Sequence, residues 1–206
     1  MRLSPVLLVG MVLATVLWGT GPSLAQSLPA GGDLTCQGPY SSNDTGESLL
    51  TRYQSQARIM EVADLSGESG DGLVLYPDDP NARIEAGDAH GNGTGRITAL
   101  TVKGRNSLWT VGGLKIGTRL NELTEINGGP VTLTGFWQET GTTFSMLGWL
   151  PKGDCKVTIV MFAPQGMRTD HPLYGLKKIQ SDDPRLASFD LEIDELILIW
   201  PEVSSD

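Results

Sequence analysis

Two stretches of the chain show the spacing of apolar residues that predicts a short amphipathic helix. The first follows Asp44, which can cap a helix together with Glu47 three residues later. Leu49, Leu50 and Tyr53 then fall on one face of that helix.

The second helical pattern begins at Gly117-Thr118 and has an apolar face of Leu120, Leu123 and Ile126. The run 127–130, Asn-Gly-Gly-Pro, follows it. Glycine after the last turn and proline next are the usual signals that stop a helix, so we expect the helix to end here.

Each helical pattern is followed by short runs that are apolar or that alternate apolar and polar residues, which predicts strands joined by tight turns. The strands predicted after the first helix are 73–76, 82–89 and 96–103, and those after the second are 131–137, 142–150 and 155–162. Because consecutive strands are joined by short turns, each set is predicted to form an antiparallel meander.

The last part of the chain predicts one more strand. Asp183-Pro184 has the N-cap and N1 residues of a helical turn. The run 196–200 is continuously apolar, which indicates a strand covered on both faces, so we expect it inside the sheet rather than at its edge.

These patterns predict an α+β fold in which two short-helix-plus-antiparallel-meander units share one core. Unit one covers about 36–105, unit two about 109–163, and the C-terminal strand segment 181–201; together they form a single domain over 26–206. The two helical patterns also match at a constant offset of 73 residues, through Thr45, Leu50 and Tyr53 on one side and Thr118, Leu123 and Ile126 on the other.

The N-terminus predicts a cleaved signal peptide over 1–25. Arg2 gives a positive start, an apolar run follows to Trp18, and Ser23 and Ala25 are the small residues expected before cleavage at Gln26. The alternative is a membrane anchor, but the apolar run is shorter than the roughly 20 residues that a spanning helix needs. We therefore expect an exported protein, periplasmic or secreted from a bacterium, with no transmembrane segment in the mature chain.

The charge balance argues against some partners. The chain has 15 Lys and Arg against 24 Asp and Glu, a formal charge of −9, and no basic cluster. Because phosphate binding needs clustered Lys and Arg, we expect no nucleic acid as a partner.

The chain has two cysteines, Cys36 and Cys155. In an oxidising compartment an even pair favours a disulfide, which would tie the entrance of unit one to the sheet of unit two. The alternative is two buried free thiols. The two cysteines and the two distant histidines, His90 and His171, have no metal-ligand spacing, so we expect no metal site and no cofactor.

Acidic side chains are the remaining candidates for chemistry. Asp78-Asp79 and Asp182-Asp183 are paired carboxylates of the kind that glycosidases use, but each pair precedes a proline, where Asp commonly caps a turn or a helix. The run 88–93 resembles the start of a calcium loop. Its third position is His90, a poor calcium ligand, so a tight hairpin turn is the favoured interpretation.

The run 114–130, Leu-Lys-Ile-Gly-Thr-Arg-Leu to Asn-Gly-Gly-Pro, resembles a segment common in small exported bacterial proteins of unassigned function. The run 133–142 continues the likeness, with Glu139 and Thr140 in place of the usual Asp-Tyr pair. The helix-plus-meander unit is also similar to the repeat of the β-lactamase-inhibitor-protein fold, which small outer-membrane assembly lipoproteins of the SmpA/OmlA type share. This chain lacks the cysteine of those lipoproteins.

The resemblance implies a non-catalytic scaffold that binds protein. We therefore expect an exported, non-enzymatic module of the bacterial cell envelope that binds a protein or ligand, with an envelope protein as its partner. Phe136 and Trp137, in a glycine-flanked segment, are candidates for the interaction surface, because tryptophan is enriched in binding hot spots. The alternative is a small envelope hydrolase that uses acids near Asp78 and Asp79.

Overall fold

A computed structural model describes residues 31–63, 69–137, 145–164 and 167–201. The predicted signal peptide and its cleavage point between Ala25 and Gln26 lie outside the described residues. The elements, in chain order, are strand β1 (Gly32–Leu34), helix α1 (Gly46–Tyr53), strands β2 (Ala57–Ala63), β3 (Ser69–Leu75), β4 (Ile84–Asp88), β5 (Ile97–Lys103) and β6 (Trp109–Val111), helix α2 (Leu120–Asn127), and strands β7 (Thr132–Thr134), β8 (Ser145–Pro151), β9 (Lys156–Phe162), β10 (Lys178–Gln180) and β11 (Glu195–Ile199).

Nine of these strands form one antiparallel sheet in the order β10-β7-β8-β9-β11-β5-β4-β3-β2, and β1 and β6 form a small parallel pair. The α+β fold class is thus confirmed. Each unit ends in a strand that pairs with β11, β5 on one side and β9 on the other. The predicted interior position of the last strand is correct, because β11 joins the two meanders at the centre of the sheet.

Helix α1 begins one residue later than predicted. Thr45, not Asp44, is the N-cap, and its hydroxyl accepts from Ser48 N at 3.1 Å while Ser48 Oγ accepts from Thr45 N. Asp44 instead accepts from Ser41 N and forms an ion pair with Arg52 at 3.2 Å. Its carboxylate therefore closes the preceding turn and reaches the last turn of the helix.

The loop between β4 and β5 lies over the start of α1. Gly46 N donates to Gly95 O at 2.8 Å and Glu47 N to Thr94 O at 3.1 Å. The first N–H groups of a helix have no partner within the helix, so this glycine-rich loop supplies the acceptors that they need. A Cβ added at Gly46 would overlap with the carbonyl oxygen of Gly93, so only glycine fits there.

Helix α2 begins at Leu120, not at the predicted Gly117-Thr118, and ends as predicted at Gly128, whose φ is 73°. Leu120 and Leu123 are buried, but Ile126 is 54% exposed and does not belong to the apolar face. Two successive three-residue steps turn a helix by about 120° away from its starting face, which carries Ile126 out of contact with the core.

The helices of the two units correspond at an offset of 74 residues, one more than the sequence pattern indicates. At this offset the N-caps Thr45 and Arg119 and the fully buried Leu49 and Leu123 coincide. The order of elements, helix then meander, is shared as predicted.

The disulfide is present. Cys36 and Cys155 are bonded, with their Cα atoms 5.5 Å apart and a separation of 119 positions in the sequence. Cys36 follows β1 and Cys155 directly precedes β9, so the bond connects the N-terminal segment to the second meander. Trp200 Nε1 donates to Cys36 O at 3.1 Å and holds the same segment against the end of β11.

No helix in the described part of the chain is long and apolar enough to cross a membrane.

Candidate functional site: the second face of the sheet

Alternation along the strands gives the large sheet two different faces. In β9, Val157, Ile159 and Met161 belong to the core cluster, whereas Thr158 and Val160 point the other way. The buried leucines of both helices belong to the same core cluster, so the helices pack on the first face. We call the opposite side, which carries Thr158 and Val160, the second face.

The second face has an apolar centre on β8, β9 and β11. Trp149 and Phe162 are 38% and 39% exposed and lie toward opposite ends of the β8–β9 pair. Leu147 pairs with Val160 between them. Large aromatic side chains that stay this exposed in the middle of a sheet mark a surface able to bury apolar area against a partner.

A buried hydroxyl lies within this centre. Thr158 is 2% exposed and pairs with Trp149 on one side and Ile197 on the other. Its Oγ1 has no hydrogen-bond partner among the described residues. Such a group costs free energy in the isolated protein, because it has lost water without gaining another partner.

Beside the apolar centre lies a chain of ion pairs. Lys103 Nζ is 3.0 Å from Glu85 and 4.0 Å from Glu195, and Arg83 contacts Glu85 at 3.1 Å. Burial raises the pKa of the Glu195 carboxyl, while Lys103 opposes that shift and Glu85 adds to it. Lys103 on β5 therefore bridges two carboxylates, Glu85 on β4 and Glu195 on β11.

The second face differs in charge from the rest of the molecule. Among its strand positions four side chains are cationic and two are acidic, namely Arg58, Lys103, Lys156 and Lys178 against Glu85 and Glu195, while in the flanking segments Asp78 pairs with Arg58 and Arg83 pairs with Glu85. The whole chain has the opposite balance, with 15 basic and 24 acidic residues. The acidic residues are thus concentrated elsewhere.

Phe136 and Trp137, the predicted interaction surface, lie away from this centre. Phe136 is fully buried, and its ring is 5.6 Å from that of Phe189 between centroids. Its segment pairs with Tyr174, and the ring belongs to the core cluster, so a role of Phe136 and Trp137 in binding stays a prediction. Trp137 is half-buried, and its indole Nε1 is buried with no partner among the described residues.

The first acid pair is used in a turn. Asp78 is exposed and paired with Arg58, and Asp79 Oδ1 accepts from Asn81 N at 2.9 Å and from Ala82 N at 3.4 Å. These contacts match the turn-capping alternative given by the sequence.

The second acid pair lines an open groove of about 310 Å³ between the start of α2 and the segment 181–191. Asp183 caps the 3₁₀ turn Pro184–Ser188, as predicted, and both its oxygens accept from Arg185. These hydrogen bonds lower the pKa of Asp183 to about 2, so it stays ionised at neutral pH. A glycosidase acid needs a raised pKa, so the lowered pKa of Asp183 does not suit the acid role.

The hairpin between β4 and β5 is a turn held by one carboxylate. Asp88 accepts from the N–H groups of His90, Gly93 and Gly95. His171, in a different loop, accepts from Leu173 N through Nδ1 at 3.2 Å. Within the described ranges no group of three or more His, Cys, Asp or Glu side chains could hold a metal ion.

The sequence patterns do not single out Trp149 or the second face. The signal that could have found it is the alternation along β8, where Met146 and Leu150 are buried and Leu147, Trp149 and Pro151 occupy the other side. The β8–β9 hairpin places Pro151 beside Lys156, whereas the position of Glu195 beside Val160 depends on β11, which enters from the far end of the chain.

Comparison of the chain with models of protein families, with curated proteins and with solved structures finds no match. The resemblance described for residues 114–142 therefore stays a prediction.

Proposed function

We propose that this chain is an exported, non-enzymatic binding module of the bacterial cell envelope, and that its second face binds a folded protein. The single observation that carries the proposal is the apolar centre of that face, where Trp149 and Phe162 remain more than a third exposed on the middle strands of the sheet. The predicted signal peptide and the disulfide support an exported location.

The size of the second face suits a protein partner. Nine strands about 4.8 Å apart, with strand lengths of about 17–23 Å near the centre, give a sheet surface of roughly 700 Å², of the order of the ~800 Å² that each partner buries in a standard protein–protein interface, although Thr158, Val160 and Ile197 within it are already buried. The face is a sheet surface, unlike the enclosed pockets that take small molecules.

The unpartnered hydroxyl of Thr158 also supports binding. A buried polar group without a partner destabilises the free protein, and positions of this kind are retained where function requires them. Thr158 lies directly between Trp149 and Ile197 in the sheet register, so the unpartnered hydroxyl is at the centre of the proposed surface.

Site-specific photo-crosslinking tests the proposal. A photoreactive phenylalanine analogue replaces Trp149 in the exported protein, which is then irradiated in the cells that produce it. The matched control carries the same analogue at Ile126, which is 54% exposed on α2 and lies on the helix side of the sheet.

We expect a cross-link to another protein at position 149 and none at position 126. Trp149→Ala combined with Phe162→Ala, with the analogue moved to Leu147, should reduce the yield of that product. Equal products at positions 149 and 126, or no product at position 149, would refute binding through the second face.

A further inference from the structure

The charge on the second face points to the chemistry of the partner. We infer that the second face binds an acidic protein surface, one in which carboxylates surround apolar side chains. This inference rests on the proposed function and adds the kind of partner to it.

The cations lie around the apolar centre rather than within it. Lys156 pairs with Ile199 on one neighbouring strand and with Pro151 on the other, at one end of the centre. Lys178 pairs with Thr134 on the outermost strands, beyond β8. Lys103 lies across β11 on the opposite side. This is the usual anatomy of a protein interface, an apolar core within a polar rim, and here the strand charges of the rim that have no ion-pair partner among the described residues are positive.

Two of these cations are available to a partner. Lys156 and Lys178 are exposed and have no ion-pair partner within the described ranges. Lys103, by contrast, is already engaged with Glu85 and Glu195. Lys156 and Lys178 therefore represent the charge that carboxylates of a partner would neutralise.

A second copy of the chain does not fit this face. A second copy of the chain would bring the same positive strand charges to the interface instead of carboxylates that could neutralise Lys156 and Lys178. The lack of charge complementarity disfavours that dimer. Anionic lipid is also disfavoured, since a chain with a formal charge of −9 is repelled from a negative membrane as a whole.

The test uses the mature, disulfide-bonded protein and a defined probe, a fluorescent random copolymer of glutamate and tyrosine. Binding is followed by anisotropy at low and at physiological ionic strength. The test variant is Lys156→Glu/Lys178→Glu. The matched control is Lys115→Glu/Arg168→Glu, which makes the same change in net charge at exposed loop positions away from the sheet. Circular dichroism confirms that both variants are folded.

We expect the wild type to bind the copolymer, and salt to weaken the binding. Exposed charge contacts are individually weak but add when two are reversed together, so the test variant should raise the Kd by about tenfold or more, against about threefold or less for the control. Trp149→Ala should also weaken binding, because the tyrosines of the copolymer then lose their apolar contact. Equal losses in the test and control variants, or no loss in the test variant, would overturn the inference.

Two further outcomes separate this inference from the proposed function. If the product cross-linked at position 149 is a protein whose contact segment is neutral or basic, the binding module stands and the acidic partner is refuted. If vesicles of phosphatidylglycerol bind the wild type more tightly than the copolymer, and Lys156→Glu/Lys178→Glu abolishes that binding, the face recognises lipid phosphate and the inference is likewise refuted.

Discussion

Removal of the disulfide should destabilise the protein strongly without changing its fold. The bond closes a loop of 119 positions, and chain entropy then assigns it a stabilisation of about 5 kcal/mol, with about 2–5 kcal/mol as the range measured for native disulfides. The N-terminal segment keeps other ties to the sheet after the bond is removed, through the pairing of β1 with β6 and through the hydrogen bond from Trp200 Nε1 to Cys36 O. We therefore expect a loss of about 3–5 kcal/mol, with the native sheet retained.

The assay is thermal unfolding of the double variant Cys36→Ser/Cys155→Ser, followed by far-ultraviolet circular dichroism. At about 2–4 °C per kcal/mol for a chain of this size, Tm should fall by about 10 °C. The wild type in excess reductant is the matched control, and its Tm should approach that of the variant. A Tm within about 2 °C of the oxidised wild type would contradict the loop-entropy reasoning. If the reductant lowers the Tm of the wild type and of the variant equally, its effect does not come from breaking the disulfide.

Two substitutions test local features of the fold. Alanine at a helix position is normally more stable than glycine by about 1 kcal/mol, but Gly46→Ala should destabilise the protein by about 1–3 kcal/mol, because the added Cβ overlaps with Gly93 O. Chemical denaturation checks this, with Gly129→Ala, which has open space around it, as the control; a Gly46→Ala variant at least as stable as the wild type would contradict the close approach. Burial raises the pKa of Glu195 in the folded protein, so the folded state favours the protonated carboxyl. The stability that this protonated form contributes at low pH is lost as the pH rises through the folded-state pKa. The unfolding free energy of the wild type relative to Glu195→Gln should therefore fall as pH rises above about 4.3, and a difference independent of pH would contradict the burial.

The order of elements could be predicted because local patterns determine it. The glycines after Asn127 stop α2 through a left-handed residue that only glycine adopts easily, and the apolar run 196–200 requires cover on both faces. Strand β2 was missed although its residues 57–63 form a regular strand. It lies at the edge of the sheet and is half exposed on both sides, so it lacks the clear apolar alternation of a strand such as β9; the three-residue strands β1, β6 and β10 are too short to show a pattern and are not predicted either.

Helix starts were shifted by one to three residues because competing caps have similar sequences. Asp44 and Thr45 can both cap a helix, and the choice depends on Ser48, which pairs reciprocally with Thr45. At α2 the cap is Arg119, a residue with no capping preference, whose N–H is bonded by Glu122 at 3.2 Å. Here an acceptor three residues into the helix compensates for the missing side-chain cap.

The cations of the second face could not be recognised as a group from the sequence. The three lysines belong to three separate elements: Lys103 to β5, Lys156 to β9 and Lys178 to β10. Each of them either has acidic residues close to it in the chain or has no basic neighbour on its face of the same strand. They come together because β11 pairs with β5 on one side and with β9 on the other, which fixes the register of the two meanders across the whole sheet. A one-residue slip of β11 would move its side chains to the opposite face and bring Glu195 into the core, at the cost of burying an unpaired carboxylate. The ion pairs of Lys103 with Glu85 and Glu195 therefore do more than balance charge: they favour the one register in which the positive rim surrounds the apolar centre.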